Sequence, residues 1–389
     1  MANQLGTNTA AATSTRPPPP RGIVYGEAAR RLLLRPEATS IAALLILLVV
    51  FSALSPDLFP TRQTYISVMS VAAELGIVSI GVTLLMIGGH FDLSVGAVLG
   101  LTSYVATVLI RDAALSPIIA APAAVAAGAV VGAINGSLVV RFRVHSFVVT
   151  LGTLLIWRGV VIALTGGFPV MVKIPPLFRD VMSGPLLFGF RMSMVWFFAI
   201  GALGTFLLTR TRFGNWVQAH GQNEQAARNL GVPVDAVTIW LFVITSALAA
   251  VAGVIQVARF ASVDALRGEG MELQAVAVTV IGGTLLSGGY GSVIGTMFGA
   301  ITFGVIQVGL VLAGAPGHFF RTLTGFIVVA AVILNTSVAR RMARSRPLAG
   351  FRRGNVETDA ALSAGREAKV VEADPEQSSG FSSGAARGN

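Results

Sequence analysis

The feature that most limits what this chain can become is a succession of apolar runs, each about as long as a bilayer's hydrocarbon core is thick. A helix needs about 20 mostly apolar residues to cross that core. Runs of this kind, bounded by Pro, Gly and charge, lie at 39–55, 66–88, 93–110, 117–140, 146–166, 193–209, 236–258, 273–287, 293–313 and 319–336. Charged residues make up 12% of the 389, half the roughly 25% of a soluble domain, and mean hydropathy is +0.75. The pattern predicts an all-α, polytopic membrane bundle of about ten transmembrane helices over residues 39–337. It excludes a cytosolic enzyme, a secreted domain and a disordered scaffold. The eighth run is short and ends in Ser287-Gly288-Gly289, which predicts a broken or half helix enclosed by protein.

Charge distribution sets the expected topology. Arg141, Arg143, Arg210, Arg212 and Arg228 fall on the side of the bundle that also carries the Arg-rich leader (1–38, with Pro17 to Pro20) and the tail (338–389). The other side holds Arg62, Arg111, Lys173, Arg179, Arg191, Arg259 and Arg267. The bias predicts both termini in the cytoplasm of a bacterial inner membrane, with 168–192 periplasmic and 210–235 cytoplasmic. No apolar run with a cleavage site leads the chain, so no signal peptide is expected. The net charge of +10 is then a topology signal rather than a nucleic-acid footprint. The cluster Arg340, Arg341, Arg344, Arg346, Arg352 and Arg353 suits anionic lipid, and beyond about residue 354 the tail reads as disordered.

Several chemistries are absent. With no cysteine there is no disulfide, thiolate or Cys-based metal site, and no histidine cluster, paired carboxylates or nucleophile–base set predicts catalysis, a metal or a cofactor. The two lysines, Lys173 and Lys369, follow Val172 and Ala368, so there is no G-x-x-x-x-G-K-[ST] loop for a nucleotide. If ATP powers this chain, another polypeptide holds it.

Two polar segments stand out. In the cytoplasmic stretch 210–235, residues 223–230 favour a short helix, with Glu224 near its start and Arg228 four residues on, and Gly231 and Pro233 to stop it. This is either a solvated linker or a docking helix for a cytoplasmic partner. In the turn 89–100, Asp92 and Ser94 flank Leu93 at a helix start, where either side chain suits capping and a transport or hinge role is the alternative. His90 reads as an interfacial structural residue, with no second histidine or carboxylate at metal spacing. Inside the spans Glu74 faces either packing or a pathway, since a lone charge there avoids lipid. Asn135, Gln256 and Gln307 suit interhelical hydrogen bonds or a polar route. Ile87-Gly88-Gly89 with Ser94-Val95-Gly96 is echoed by Ile281-Gly282-Gly283 with Ser292-Val293 and Gly295, and both copies face the same way by the span count.

From Tyr65 to Val338 the chain resembles the permease subunits of bacterial ABC importers for simple sugars, the ribose, xylose, arabinose and galactose group. GHFDLSVG (89–96) is similar to that family's GGIDLSVG, with His90 in place of a second glycine and Phe91 in place of isoleucine. Gly132 to Gly136 with Asn135, then Phe147 to Gly152 with Thr150, then Arg158-Gly159 follow the family's stretch, with His145 where proline is common. GEGMELQAVAVTVIGG (268–283) and LSGGYGS (286–292) resemble two further motifs, with Gln274 replacing an acidic residue. The resemblance implies a type II importer fold, a homodimer, a separate cytoplasmic ATPase and a periplasmic sugar-binding protein. It also implies that 220–232 is the coupling segment, with Gly221, Asn223, Glu224, Gln225, Ala226, Ala227 and Gly231 at the ATPase. On this reading Glu74, Asp92, Ser94, Asn135, Gln256 and Gln307 are the pathway or gate candidates. A permease for another small polar solute such as branched-chain amino acids, or an ion-coupled transporter, is the alternative.

Overall fold

A computed structural model describes residues 36–316 together with 319, 322–327, 329, 330 and 333. These lie in the first of the two units into which the chain divides, at residue 336. Most of the leader, most of the tenth apolar run and the basic tail lie outside the described residues.

The described residues are almost all helical. In chain order the helices are α1 (Pro36–Leu54), α2 (Arg62–Ile87), α3 (Val95–Arg111), α4 (Pro117–Phe142), α5 (Ser146–Thr165), α6 (Pro176–Ser183), α7 (Met192–Arg210), α8 (Arg212–Gln222), α9 (Glu224–Asn229), α10 (Val234–Phe260), α11 (Met271–Ile281) and α12 (Val293–Leu312). Six of them, α2, α4, α5, α7, α10 and α12, are long and apolar enough to cross a membrane. Two short strands, β1 (Val170–Met171) and β2 (Ser262–Val263), pair antiparallel.

Burial orders the bundle. The apolar window of α2 is 94% buried, so this helix is the central post, whereas that of α5 is 17% buried and lies at the periphery. Small residues bring the posts together. Gly128, Gly132 and Gly136 form one stripe of α4, and a Cβ at any of them would meet α10 at Ala250, Phe242 or Ile239. Backbones approach this closely in membrane bundles only across glycine-like faces. Phe197 of α7 lies over Gly76 of α2, filling the groove that the glycine leaves.

The expected half helix is α11, whose 11 residues span about 16 Å, too short to cross. Helix α8 and the loop helix α6 were not anticipated by the apolar pattern, because each is short. The internal echo is a shared helix-ending turn. Gly88 and Gly282 close α2 and α11 with ordinary φ, and Gly89 (φ 84°) and Gly283 (φ 86°) take the left-handed conformation that favours glycine. The bonds correspond one for one: His90 N–H donates to the Leu85 carbonyl and Thr284 N–H to the Thr279 carbonyl, both at 3.1 Å.

Candidate functional site

The segment 210–235 is a helical elbow. Thr211 starts α8 by accepting from Gly214 N–H, and Asn223 starts α9 by accepting from Ala226 N–H at 2.9 Å. Glu224 and Arg228 pair at 3.1 Å across one turn, and Arg228 also holds Asp235 at 2.7 Å, tying α9 to the first turn of α10. Gly231, with φ of 81°, turns the chain away as expected. One expectation needs correction. Ala227 is 2% exposed and packs into its own chain, so it cannot form the small face offered to a partner. The outward surface includes Glu224, Gln225, Ala226 and Leu230, and Leu230 is 82% exposed.

The elbow is locked backbone to backbone onto the glycine turn after α2 and onto the Gly288–Gly289 loop. A side chain at Gly221 would run into the Ile87 carbonyl and the Gly289 amide, and Gly289 N–H donates to the Ile87 carbonyl at 2.8 Å. Gly288 lies against Gly89 and the Gly221 carbonyl. Three stretches far apart in sequence, 87–90, 220–222 and 288–289, therefore meet at one end of the bundle. Motion of α8 has no slack before it reaches the end of α2 and the Gly288–Gly289 loop that leads from α11 to α12.

A histidine pair closes the same joint. His90 Nε2 and His220 Nε2 are 3.1 Å apart, and Thr238 Oγ1 is 3.3 Å from the first and 3.2 Å from the second. No carboxylate or third histidine joins them as a metal-ligand group among the described residues. Local spacing gives no sign of this partner, because the fold bridges a separation of 130 residues to bring His220 to His90. Burial is the larger cause pushing His90 down to about 4, and the charge of His220 pushes the same way. His220 is also lowered, again chiefly by burial. A cavity of about 560 Å3 opens beside the pair, lined by His90, His145, His220, Glu224, Arg228 and Asp235 among others.

The residues expected at a pathway or gate lie mostly buried within the single chain. Asp92 is 1% exposed, and its Oδ1 accepts from Ser94 N–H at 2.8 Å and from the Ser94 hydroxyl at 2.6 Å. Asn135 donates to Ser94 Oγ at 2.9 Å, so the three form one buried chain between the 89–94 turn and α4. Ser94 occupies the N-cap of α3 without making a side-chain cap bond, so the capping expected of it is replaced by this network. The turn is also stitched to α5, with Phe91 N–H on Ser146 Oγ and Leu93 N–H on Thr150 Oγ1. Glu74 is not solitary: it pairs with Arg259 of α10 at 2.5 Å, the arginine side chain being 24% exposed. The side chains of Gln256, 8% exposed, and Gln307 make no hydrogen bond among the described residues, so the interhelical bonds expected of them are not formed.

These features frame the comparison with known proteins. Residues 64–332 match the family model for the permease component of the branched-chain amino acid transport system. The chain belongs to this permease family. It is 34% identical over 292 residues to the ribose import permease protein RbsC of Escherichia coli (strain K12), covering 74% of this chain and 90% of that protein. It is 34% identical over 254 residues to the inner membrane ABC transporter permease protein YjfF of the same strain, covering 64% and 76%. It is 32% identical over 289 residues to the autoinducer 2 import system permease protein LsrC of Salmonella paratyphi B, covering 74% and 82%. The permease is thus a multi-pass inner-membrane transport component, and its two glycine turns, elbow and half helix all fall within the matched span.

Proposed function

We propose that this permease is the membrane subunit of an ABC importer that passes a monosaccharide. It works as a homodimer, receives solute from a periplasmic binding protein and is driven by a separate cytoplasmic ATPase. In this reading both termini and the 210–235 elbow are cytoplasmic, and 168–192 is periplasmic. Relatives named for ribose and autoinducer 2 import favour a sugar over a branched-chain amino acid. Ion coupling has less to work with at Glu74, which is committed to Arg259.

The observation that carries the proposal is the lock at Gly221. A chain without a nucleotide loop must take its energy through a protein contact, and the elbow is joined to the end of α2 and to the Gly288–Gly289 loop between α11 and α12 with no intervening side chain. Leu230 supplies an apolar anchor beyond the bundle, and Glu224, with its side chain 59% exposed, supplies a charge for a basic groove. Leu230→Asp and Glu224→Ala are expected to leave insertion intact, to reduce co-purification of the ATPase and to abolish solute-stimulated hydrolysis in reconstituted vesicles. Wild-type assembly and coupled uptake in both variants would reduce the elbow to a linker.

A further inference from the structure

We propose that the flank of α5 bearing Arg158, together with Glu272 at the start of α11, forms the wet wall of the translocation pathway and contacts the hydroxyl groups of the solute. The proposal rests on the importer reading above and adds the residues that meet the solute. It starts from a mismatch. Glu74, Asp92 and Asn135, which sequence alone offers for the route, are 7%, 1% and 0% exposed inside a single chain. A pathway needs polar groups that reach a surface of the subunit at membrane depth.

Arg158 and Glu272 meet that requirement. Arg158 lies twelve residues into α5, about 18 Å from the helix start at 1.5 Å per residue. That start is fastened to the 89–94 turn at the elbow end. Glu272 lies nine residues before the end of α11, about 14 Å from the same end. The two are therefore at similar depth, near the middle of a core about 30 Å thick. Both are only partly buried. A charged group at such depth avoids hydrocarbon and faces protein or a water-filled cavity. Arg158 cannot reach for the headgroups, because its Nη1 donates to the Arg267 carbonyl at 2.8 Å and to the Ala265 carbonyl at 3.4 Å. Its Nε and Nη2 groups remain uncommitted among the described residues.

Glu272 is the complementary group. Its Oε1 accepts from Gly270 N–H at 3.2 Å, while Oε2 lies against Gly96 with no hydrogen-bond partner. Gly96 and Gly100 of α3 admit the 267–268 backbone and this carboxylate so closely that any side chain there would clash. The break before α11 thus places a guanidinium with spare donors beside a carboxylate whose Oε2 is enclosed against Gly96, leaving the second lone pair of Oε1 to accept from a solute. Sugar hydroxyls donate and accept at once, and charge-assisted hydrogen bonds of this kind are the strong ones.

The native chain has no cysteine, so single cysteines report the wall directly. Leu155 and Ile162 share the Arg158 flank of α5, whereas Ile156 points to the opposite one, and all three are exposed on the single chain. In the assembled transporter in nanodiscs, a charged maleimide is expected to label Leu155→Cys and Ile162→Cys and to spare Ile156→Cys. Absence of labelling on the Arg158 flank overturns the proposal, whatever the solute. Labelling slowed by ribose, xylose, arabinose or galactose supports both the wall and the sugar reading. Labelling that no monosaccharide slows, with uptake of another solute lost in the Arg158 variant, keeps the wall and refutes the sugar reading. Arg158→Gln and Glu272→Gln are each expected to cut uptake about tenfold or more with the ATPase still bound, and Arg158→Lys to recover part of it. Unchanged uptake in both Gln variants would overturn the contact.

Discussion

The histidine pair at the joint predicts a specific loss of stability in acid. His90 and His220 meet through their Nε2 atoms at 3.1 Å, so at most one proton fits between them, and two imidazolium rings at that distance repel. The folded chain therefore resists protonating His90, whose value falls from the usual 6.5 to about 4. A group whose folded value is depressed in this way binds fewer protons folded than unfolded. Its effect vanishes above about pH 6.5, grows as pH falls and levels off below about 4. With one pKa unit equal to about 1.36 kcal/mol, the cost is on the order of 2 kcal/mol at pH 5 and about 3 kcal/mol at its limit. The assay is thermal unfolding of the purified full chain in detergent from pH 7.5 to 4.5, wild type against His90→Asn. Asn keeps hydrogen bonding and does not titrate. The wild type is expected to lose several degrees relative to the variant between pH 6.5 and 5, with no difference above 7. Parallel curves, or a wild type that gains in acid, would refute the assignment of a shared, neutral pair.

Other positions follow from the same geometry. Gly221→Ala places a methyl group against the Ile87 carbonyl, so a loss of about 2 kcal/mol or more and uncoupled ATPase activity are expected, read by thermal unfolding and vesicle uptake. Glu74→Ala leaves the Arg259 guanidinium unpaired and is expected to cost about 3–5 kcal/mol, while the double change Glu74→Met with Arg259→Met restores folding. A double variant that folds but does not transport would give the pair a working role. For topology, Leu177→Cys, 74% exposed in α6, is expected to react with an impermeant maleimide in intact cells, and Leu230→Cys to react only after the membrane is opened. The reverse pattern would invert the orientation.

The features legible in the sequence were those written in local pattern. Apolar run length located the long helices and Asn223 and Gly231 bracketed α9, whereas the eighth run continues to 287 and α11 stops at Ile281, because the Gly282-Gly283 turn ends the helix inside an apolar stretch. What escaped depends on contacts between distant stretches. No local signal shows that His220 comes to His90, that Arg259 answers Glu74, or that Ala227 rather than Ala226 turns inward. A buried polar residue and a pathway residue also look alike in one dimension, since both are polar groups in an apolar run. Only exposure on the folded chain separates Asn135, which donates to Ser94, from Arg158, which keeps donors to spare.

The two glycine turns show how one local motif comes to serve two ends. Each closes a helix with the same bonds and leads through serine into the next helix. At the second copy Ser292 does what its position invites, accepting from Gly295 N–H at 3.1 Å to cap α12. At the first copy Ser94 gives its hydroxyl to Asp92 and accepts from Asn135, so the turn is tied sideways into α4 rather than along α3. The 89–94 turn is thus braced from α4, from α5 through Ser146 and Thr150, and from α8 through His220. The 288–292 turn has Gln222 and the backbone at Gly221 as its link to the elbow. A push delivered at α9 therefore reaches α2 as part of a rigid block. The same push reaches α11 through a narrower contact, and α11 is the short helix whose far end carries Glu272. Driven as proposed, the elbow would act at one end of α11 while Glu272 sits about 14 Å away at the other, so coupling and passage would share one lever.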